Sequence, residues 1–417
     1  MKRHTVAIIG CGSRGIDTYG NLLNKKKDSF EIVALCDIKR GRLELGKEHY
    51  GVKEENLFID ENGFFEKRRA DIVIIATPDN CHIRHGLKAL ELGYDVLMEK
   101  PITDNTEDCE KLIAAQKKYG GKVVVCHVLR YAPAFVKCAE IISAGGIGRL
   151  VTIQALERVA YWHYAHSYVR GNWRNREESS PMILAKCCHD LDYLQFYANS
   201  KCKSVSSVGD LTYFNKENAP EGAAERCVNC KLKDTCVYSA TKFYIDDWKK
   251  NGRPASVWPG NVIALEPLTE EKLKEAVEKG PYGRCVYHCD NDVVDHQIVN
   301  MEFENGVKAT LTMMAFTSGG GRVIKFFGTL GELELNEETG FIIHKPFGKE
   351  DIKYPISTLT STEGGHGGGD LMMINSLCSG MDSSPATTLE RSVESHLMSF
   401  AAEESRLNGG KVIYIHI

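Results

Sequence analysis

The stretch that most constrains this chain is residues 6–15, "VAIIGCGSRG". A run of apolar β-formers leads straight into Gly10-x-Gly12-x-x-Gly15, and a helix-like segment follows to Leu23. Each glycine has its own physical reason. Gly10 permits the tight turn, Gly12 lets the backbone approach a pyrophosphate, and Gly15 lets the helix pack close to the strand. The helix N-terminus then offers free N–H groups and a positive dipole end to the phosphates. Ser13 and Arg14 lie in the same loop and are assigned to the phosphate site with it. Glycine turns are common; this one counts because a strand precedes it and a helix follows.

A second apolar run, "FEIVALCD", ends on Asp37, about 20 residues beyond the glycines, where an acid grips the adenosine ribose hydroxyls. That favours NAD, although Lys39 and Arg40 follow at once and could hold the 2′-phosphate of NADP. "ADIVIIATPDNCH" reads as a buried strand closed by Thr77-Pro78, with Asn80 and His82 just beyond. A helix stopped by Gly93, the strand "YDVLMEKP", the helix "TEDCEKLIAAQKKYG" and the strand "KVVVCHVLRY" complete the pattern. Such alternation predicts an α/β fold, an N-terminal Rossmann domain with a doubly wound parallel sheet over residues 1–128. Ligands lie at the carboxyl ends of such strands. Thr77-Pro78 and Glu99-Lys100-Pro101 both fall at that edge, so a carboxylate and an ammonium are delivered into a cofactor crevice.

The pattern changes after that. Residues 129–417 read as a C-terminal α+β domain for substrate binding and oligomerisation, with an open, mostly antiparallel sheet. "VVDHQIVNMEFENGVKATLTMMAF" gives two strands joined at Asn305-Gly306, a hairpin signal. A last helix over about 389–407 leads into a closing strand, "GKVIYIHI". Residues 161–174, "YWHYAHSYVRGNWR", are the densest polar-aromatic stretch. Tyr161 and Trp173 suit stacking on a sugar ring, while His163, His166 and Arg170 can donate to hydroxyls or a carboxylate; an oligomer interface is the competing reading. "EGGHGGGD" surrounds His366 with glycines, which lets backbone approach a ligand.

Formal net charge is -4 and no long basic run occurs, so neither nucleic acid nor an anionic membrane is an expected partner. No apolar stretch approaches the roughly 20 residues that span a bilayer, and the N-terminal apolar run is too short for a signal segment. A cytoplasmic protein with reduced thiols is expected. "CVNCKLKDTC" and "CVYHC" mark a Cys-rich insertion near 225–290. Cys227, Cys230 and Cys236, with Cys289 as the fourth thiol, are the expected ligands of a structural zinc.

The pieces "GCGSRG", "ATPDNCH", "EKP", "LRYAP" (129–133) and "CHDLDYL" (188–194) together resemble the glucose–fructose oxidoreductase, inositol dehydrogenase and rhizopine-catabolism group, the Gfo/Idh/MocA family. The resemblance covers roughly the first half of the chain in sharp motifs, and "EKP" is its most specific element. It implies that Lys100 lies near the nicotinamide and polarises the reacting oxygen, with Glu99 holding the loop, and that His189 is the acid/base. It implies a carbohydrate substrate held by Lys100, Tyr131, the aromatic stretch, Lys186, His189 and His366, and a homodimer or homotetramer. One departure stands out: simple dehydrogenases of the family often carry an aspartate four residues before that histidine, and here residue 185 is alanine, followed by Lys186. Asp190 or Asp192 is the substitute the sequence offers. The function expected is NAD(P)-dependent oxidation of a hydroxyl of a sugar, polyol or sugar derivative. The alternative is an NAD-dependent glycosidase working by transient ring oxidation, elimination, water addition and re-reduction, a branch that the GGHGG-like loop around His366 also resembles.

Overall fold

Short β-branched runs buried on both faces alternate with amphipathic helices over the first third, and in the computed structural model they form one parallel sheet. The structure describes residues 3–360, 365–381 and 387–415. Glu363 and Gly364 of the glycine-rich loop, and the last two residues of the closing strand, lie outside them. The strands are β1 (His4–Ile9), β2 (Phe30–Cys36), β3 (Leu57–Phe58), β4 (Ile72–Ile75), β5 (Asp95–Met98) and β6 (Val123–Val125), in spatial order 3-2-1-4-5-6. This is the Rossmann order expected of a dinucleotide-binding sheet.

Register fixes what emerges at its carboxyl edge. Ile9 pairs with Cys36 and Ile75, Ile75 with Met98, and Met98 with Val125, so these residues form one row. The next residues along each strand therefore share one rim: Gly10, Asp37, Ala76-Thr77, Glu99-Lys100 and Cys126-His127.

The remainder builds a nine-stranded sheet from β7 (Leu150–Ala160), β8 (Cys202–Asp210), β9 (His296–Phe303), β10 (Lys308–Thr317), β11 (Gly321–Gly328), β12 (Gly331–Asn336), β13 (Phe341–Pro346), β14 (Ile352–Pro355) and β15 (Ile413–Tyr414). Its order is 14-13-12-11-7-10-9-8-15, and every pairing but β7 with β10 is antiparallel. The Asn305-Gly306 hairpin joins β9 to β10, with Gly306 at φ +89, where a side chain is disfavoured. One face alternates inward as Ile153, Ala155, Val299, Met301, Leu311 and Met313, all buried against helices Pro133–Ser143 and Cys188–Ala198.

The chain's end returns to the first sheet. Helix Leu389–Leu407 packs on β8 and on Cys188–Ala198, while its Leu389 and Val393 join the Rossmann core. Helix Gly369–Leu377 likewise contributes Met373, Ile374 and Leu377 to the core on the other face. These C-terminal elements bring the loop of His366 over the rim of the parallel sheet. Residue-number boundaries at 128 and 129 thus divide the sheets but not the packing.

Candidate active site

The glycine turn is built for a ligand's close approach. Gly10 has φ +91, and a Cβ there would meet the Ala76 carbonyl oxygen at 2.4 Å. Gly15 is equally confined: its Cβ would stand 1.9 Å from the Gly10 oxygen. Gly12, in contrast, has nothing within 4 Å of that position. The turn is thus tight where the protein packs on itself and open where a pyrophosphate belongs, so these residues fit a dinucleotide. Asp37 stands at the end of β2, its carboxylate accepting from Cys11 N–H and Lys39 N–H, each at 2.7 Å. Arg40 is tied to Glu44 and Glu54 on its own side of the loop.

Arg14 leaves the glycine turn to lie on the loop after β5. Its Nε donates to Glu99 Oε1 at 2.5 Å and its guanidinium also holds Asp370 at 2.6 Å. Tyr19 O–H adds a hydrogen bond to the same Glu99 oxygen at 2.6 Å, and Glu99 Oε2 accepts the Lys100 N–H at 3.0 Å. Burial opposes ionisation of Glu99, but Arg14 and then Lys100 outweigh it and hold the carboxyl below its usual range. His82 braces the loop's other side, one ring nitrogen 2.6 Å from the Pro101 oxygen and the other 2.7 Å from the Thr77 oxygen. The Lys100–Pro101 peptide is cis.

So held, Lys100 extends its Nζ to the Ala185 carbonyl oxygen at 2.6 Å, in the turn that enters the helix of His189. His189 is buried, with Nδ1 sealed from solvent and unpartnered. Nε2 is not among the sealed atoms and makes no hydrogen bond among the described residues, which leaves it to the crevice. Burial pushes the His189 imidazolium well down, and Lys100, His366, His127 and Arg322 push the same way. His163 is depressed for the same reasons: burial first, then Lys186, His166, His366 and Lys100. The His189 and His366 rings are 5.6 Å apart, and His366 Nδ1 lies 3.0 Å from Asp370 Oδ2. Lys100, His163, Lys186, His189 and His366 are therefore near enough to act on one another electrostatically.

Other residues singled out in the sequence are committed elsewhere. His166 pairs through Nδ1 with Tyr244 O–H at 2.6 Å and stacks on Tyr282. Arg170 donates to the carbonyls of Arg284 and Tyr238, each at 2.7 Å, so both side chains anchor the Cys-rich insertion. Tyr161 meets Tyr238 of that insertion edge-on. Trp173 Nε1 donates to Asp79, which also receives Ser179 and Ser180, and Asn80 reaches the Glu178 carbonyl at 3.5 Å. The Thr77 hydroxyl pairs with His85 at 3.1 Å, beside Pro78. Tyr131 bonds to Thr387 at 2.8 Å.

Neither substitute for the missing aspartate reaches His189. Asp190 is bound to Arg322, and Asp192 to Arg130, both bidentate, because each buried carboxylate is met by a buried guanidinium. Lys186 is likewise paired, its Nζ 3.1 Å from Glu157 Oε1, while Arg322 takes the other oxygen at 3.0 Å. Asp79, Glu157 and Arg322 escape sequence reading. Asp79 at least sits within "ATPDN"; Arg322 follows three glycines with no signal of its burial.

The thiols gather differently from expectation. Cys227, Cys230 and Cys236 line a cavity of about 20 Å³ with Cys285 rather than Cys289. The turn of "CVYHC" points Cys289 Sγ back to the Cys285 carbonyl, 3.2 Å away. Among the described residues no three His, Cys, Asp or Glu side chains stand close enough together to hold a metal ion. Among them, too, no helix is long and apolar enough to cross a membrane.

Comparison with known proteins agrees with this geometry. Residues 4–127 match the family described as an oxidoreductase family with an NAD-binding Rossmann fold, and residues 139–412 match its C-terminal alpha/beta domain. YteT of Bacillus subtilis, named as an oxidoreductase, is 26% identical over 90% of this chain and 89% of its own. Inositol 2-dehydrogenase of Salmonella typhimurium is 26% identical over 51% of this chain and 58% of its own. A 2,7-anhydro-N-acetylneuraminate hydratase of Mediterraneibacter gnavus is 26% identical over 64% and 66%. Among solved structures, an oxidoreductase from Agrobacterium radiobacter in complex with NAD+, L-tartaric acid and magnesium superposes with a TM-score of 0.70, covering 99% of this chain and 98% of that one at 15% identity. With its glycine turn, its Glu99-Lys100-Pro101 loop and both domains matched, the chain belongs to the Gfo/Idh/MocA oxidoreductase family.

Proposed function

We propose that this protein oxidises or reduces a hydroxyl-bearing carbon of a sugar, polyol or sugar derivative with a nicotinamide cofactor. The observation that carries the proposal is the meeting of Lys100 Nζ with the turn entering the helix of His189, on the same sheet rim that carries the glycine turn. Gly10, Gly12, Ser13, Gly15 and Asp37 would hold the dinucleotide. Asp37 supports NAD over NADP, because a carboxylate repels a 2′-phosphate and Arg40 is already paired. The cofactor, when bound, supplies the hydride acceptor. Lys100 hydrogen-bonds the substrate oxygen and favours its alkoxide character as the C–H bond breaks. His189 takes the hydroxyl proton at Nε2, a role open to it because burial and nearby cations keep the ring neutral. Inositol 2-dehydrogenase among the relatives supports this substrate class.

A second reading, elimination or hydration through a transient ketone, is favoured by one feature: three imidazoles, His163, His189 and His366, around one lysine. The hydratase relative points the same way. A homodimer or homotetramer is supported by the outer face of the large sheet, where exposed Val208 and Ile298 are paired across β8 and β9.

The deciding experiment incubates purified protein with NAD and a panel of free sugars, polyols and aryl glycosides, following reduced nicotinamide and aglycone release together. Net NADH from a free sugar or polyol establishes the dehydrogenase. Aglycone release without net cofactor turnover, abolished when NAD is removed, establishes the redox glycosidase.

A further inference from the structure

Three ring nitrogens in the crevice wall are sealed from solvent without a hydrogen-bond partner among the described residues: His127 Nδ1, His127 Nε2 and His189 Nδ1. They belong to neighbours. The two rings meet nearly edge-on, at 83°, with centroids 5.8 Å apart. Buried polar nitrogens without partners cost stability and are scarce in folded chains, so three in two adjoining rings require a physical reason.

Their surroundings narrow it. On the far side of His127, His396 has both nitrogens occupied: Nδ1 lies 2.8 Å from the Ser392 oxygen, and Nε2 accepts the Ile102 N–H at 2.8 Å. His396 is thus fixed as its Nδ1–H tautomer and has nothing left to exchange with His127. Asp192, although bound by Arg130, keeps Oδ1 3.9 Å from His127 Nε2. Lys100, His366 and Arg322 face His189 from the other elements; Arg130, Lys100 and Glu99 are the remaining charges near His127. Lys100, Arg322 and Arg130 repel a proton on either ring and accept nothing. His366 is paired with Asp370, and Glu99 already accepts from Arg14, Tyr19 and the Lys100 N–H, which leaves Asp192 and the two imidazoles themselves.

We infer that His127 is the positioning residue of His189, standing in for the carboxylate absent at position 185. With Nε2–H directed to Asp192, its Nδ1 lone pair accepts His189 Nδ1–H, which presents the His189 Nε2 lone pair to the crevice. The inference rests on the acid/base reading of His189. When a substrate hydroxyl gives its proton to Nε2, the O–H bond breaks, the Nε2–H bond forms, and the two inner hydrogen bonds persist to steady the new charge. Closing them takes a small approach of His127 to Asp192 and to His189, on the scale by which catalytic hydrogen bonds tighten in the working complex.

The test uses full-length protein labelled with ¹⁵N-histidine, reading ring tautomers by NMR at pH 7.5, with His189 and His127 each assigned through a glutamine variant. Wild type should show His189 as Nδ1–H and His127 as Nε2–H. His127→Phe keeps an edge-on ring without nitrogens and should turn His189 into a tautomer mixture; His127→Gln, whose amide oxygen accepts, should restore Nδ1–H. An unchanged His189 tautomer in His127→Phe overturns the inference. So does a wild-type His189 found as Nε2–H, a result that stands even where the Phe variant fails to fold. No turnover is read, so failure here is separate from failure of the redox reading.

Discussion

Arg14 Nε stands 2.5 Å from Glu99 Oε1, joining the glycine turn after β1 to the loop after β5. The same guanidinium reaches Asp370 in the first turn of helix Gly369–Leu377, so one side chain ties together three segments that build the crevice. Removing it strands two buried carboxylates. Arg14→Gln is expected to lower stability by about 3 kcal/mol, the usual scale for breaking one partner of a buried pair. Urea unfolding against wild type measures it, and an unchanged midpoint would mean that the pairs contribute nothing net.

The glycines separate folding from binding. Gly12 has open space where its Cβ would stand, whereas a Cβ on Gly15 would strike the Gly10 carbonyl. Gly12→Val should leave the unfolding midpoint within about 0.5 kcal/mol of wild type and weaken NAD binding by at least about tenfold, a change of ~1.4 kcal/mol. Gly15→Ala should instead destabilise the fold by about 3 kcal/mol through overpacking. Calorimetric titration with NAD and thermal unfolding of both variants read the two effects apart. Equal loss of stability in both variants would contradict the division of roles.

Much of this was legible because strand period and turn chemistry are local. "VAIIGCGSRG", "ATPDN" and "EKP" each announce a strand and the residue at its end, and the pairing register then places those ends on one rim. The hairpin at Asn305-Gly306 is legible for the same reason. What escaped reading depends on partners far apart in sequence. Arg170 looks like a substrate ligand until Arg284 and Tyr238 are found beside it. Asp190 and Asp192 look available until Arg322 and Arg130 take them. A buried guanidinium carries no signature in its own neighbourhood, so the polar interior of the site emerges only from the fold.

Acid should unfold this protein through its histidines. Burial lowers His127 to about 4, and His166 and His396 to about 3, from the ordinary 6.5. A depressed folded value means that the stability is fully present above pH 6.5 and is lost as pH falls toward the folded values, because the unfolded chain takes up protons first. Asp190 acts in the opposite sense: burial raises it to about 6, so it favours the folded state as pH drops through that value. His163 and His189 are depressed in the same way and Asp17 is raised to about 6 like Asp190, so the histidines outnumber the carboxyls and stability falls as pH drops toward 5. Urea midpoints at pH 7, 6 and 5 test the sign. A flat profile from 7 to 5 would show that these rings are not buried as neutral groups.

Lys100 is the side chain on which the redox proposal turns. Its Nζ is positioned by Ala185 and its backbone by Glu99, so replacing the ammonium need not disturb the loop. Lys100→Met keeps most of the stem and removes the charge and the donors. If Lys100 stabilises alkoxide character, kcat on the substrate found by screening should fall about 10²–10³-fold, the scale seen when one preorganised donor is removed. NAD affinity should stay within about threefold, since the glycine turn and Asp37 are untouched. His189→Asn should produce a loss of similar order by removing the proton acceptor. Because both groups serve one proton-coupled step, the double variant should fall little below the worse single one. Undiminished turnover in Lys100→Met with NAD still bound would remove Lys100 from the chemistry and leave it a loop residue whose ammonium caps a carbonyl.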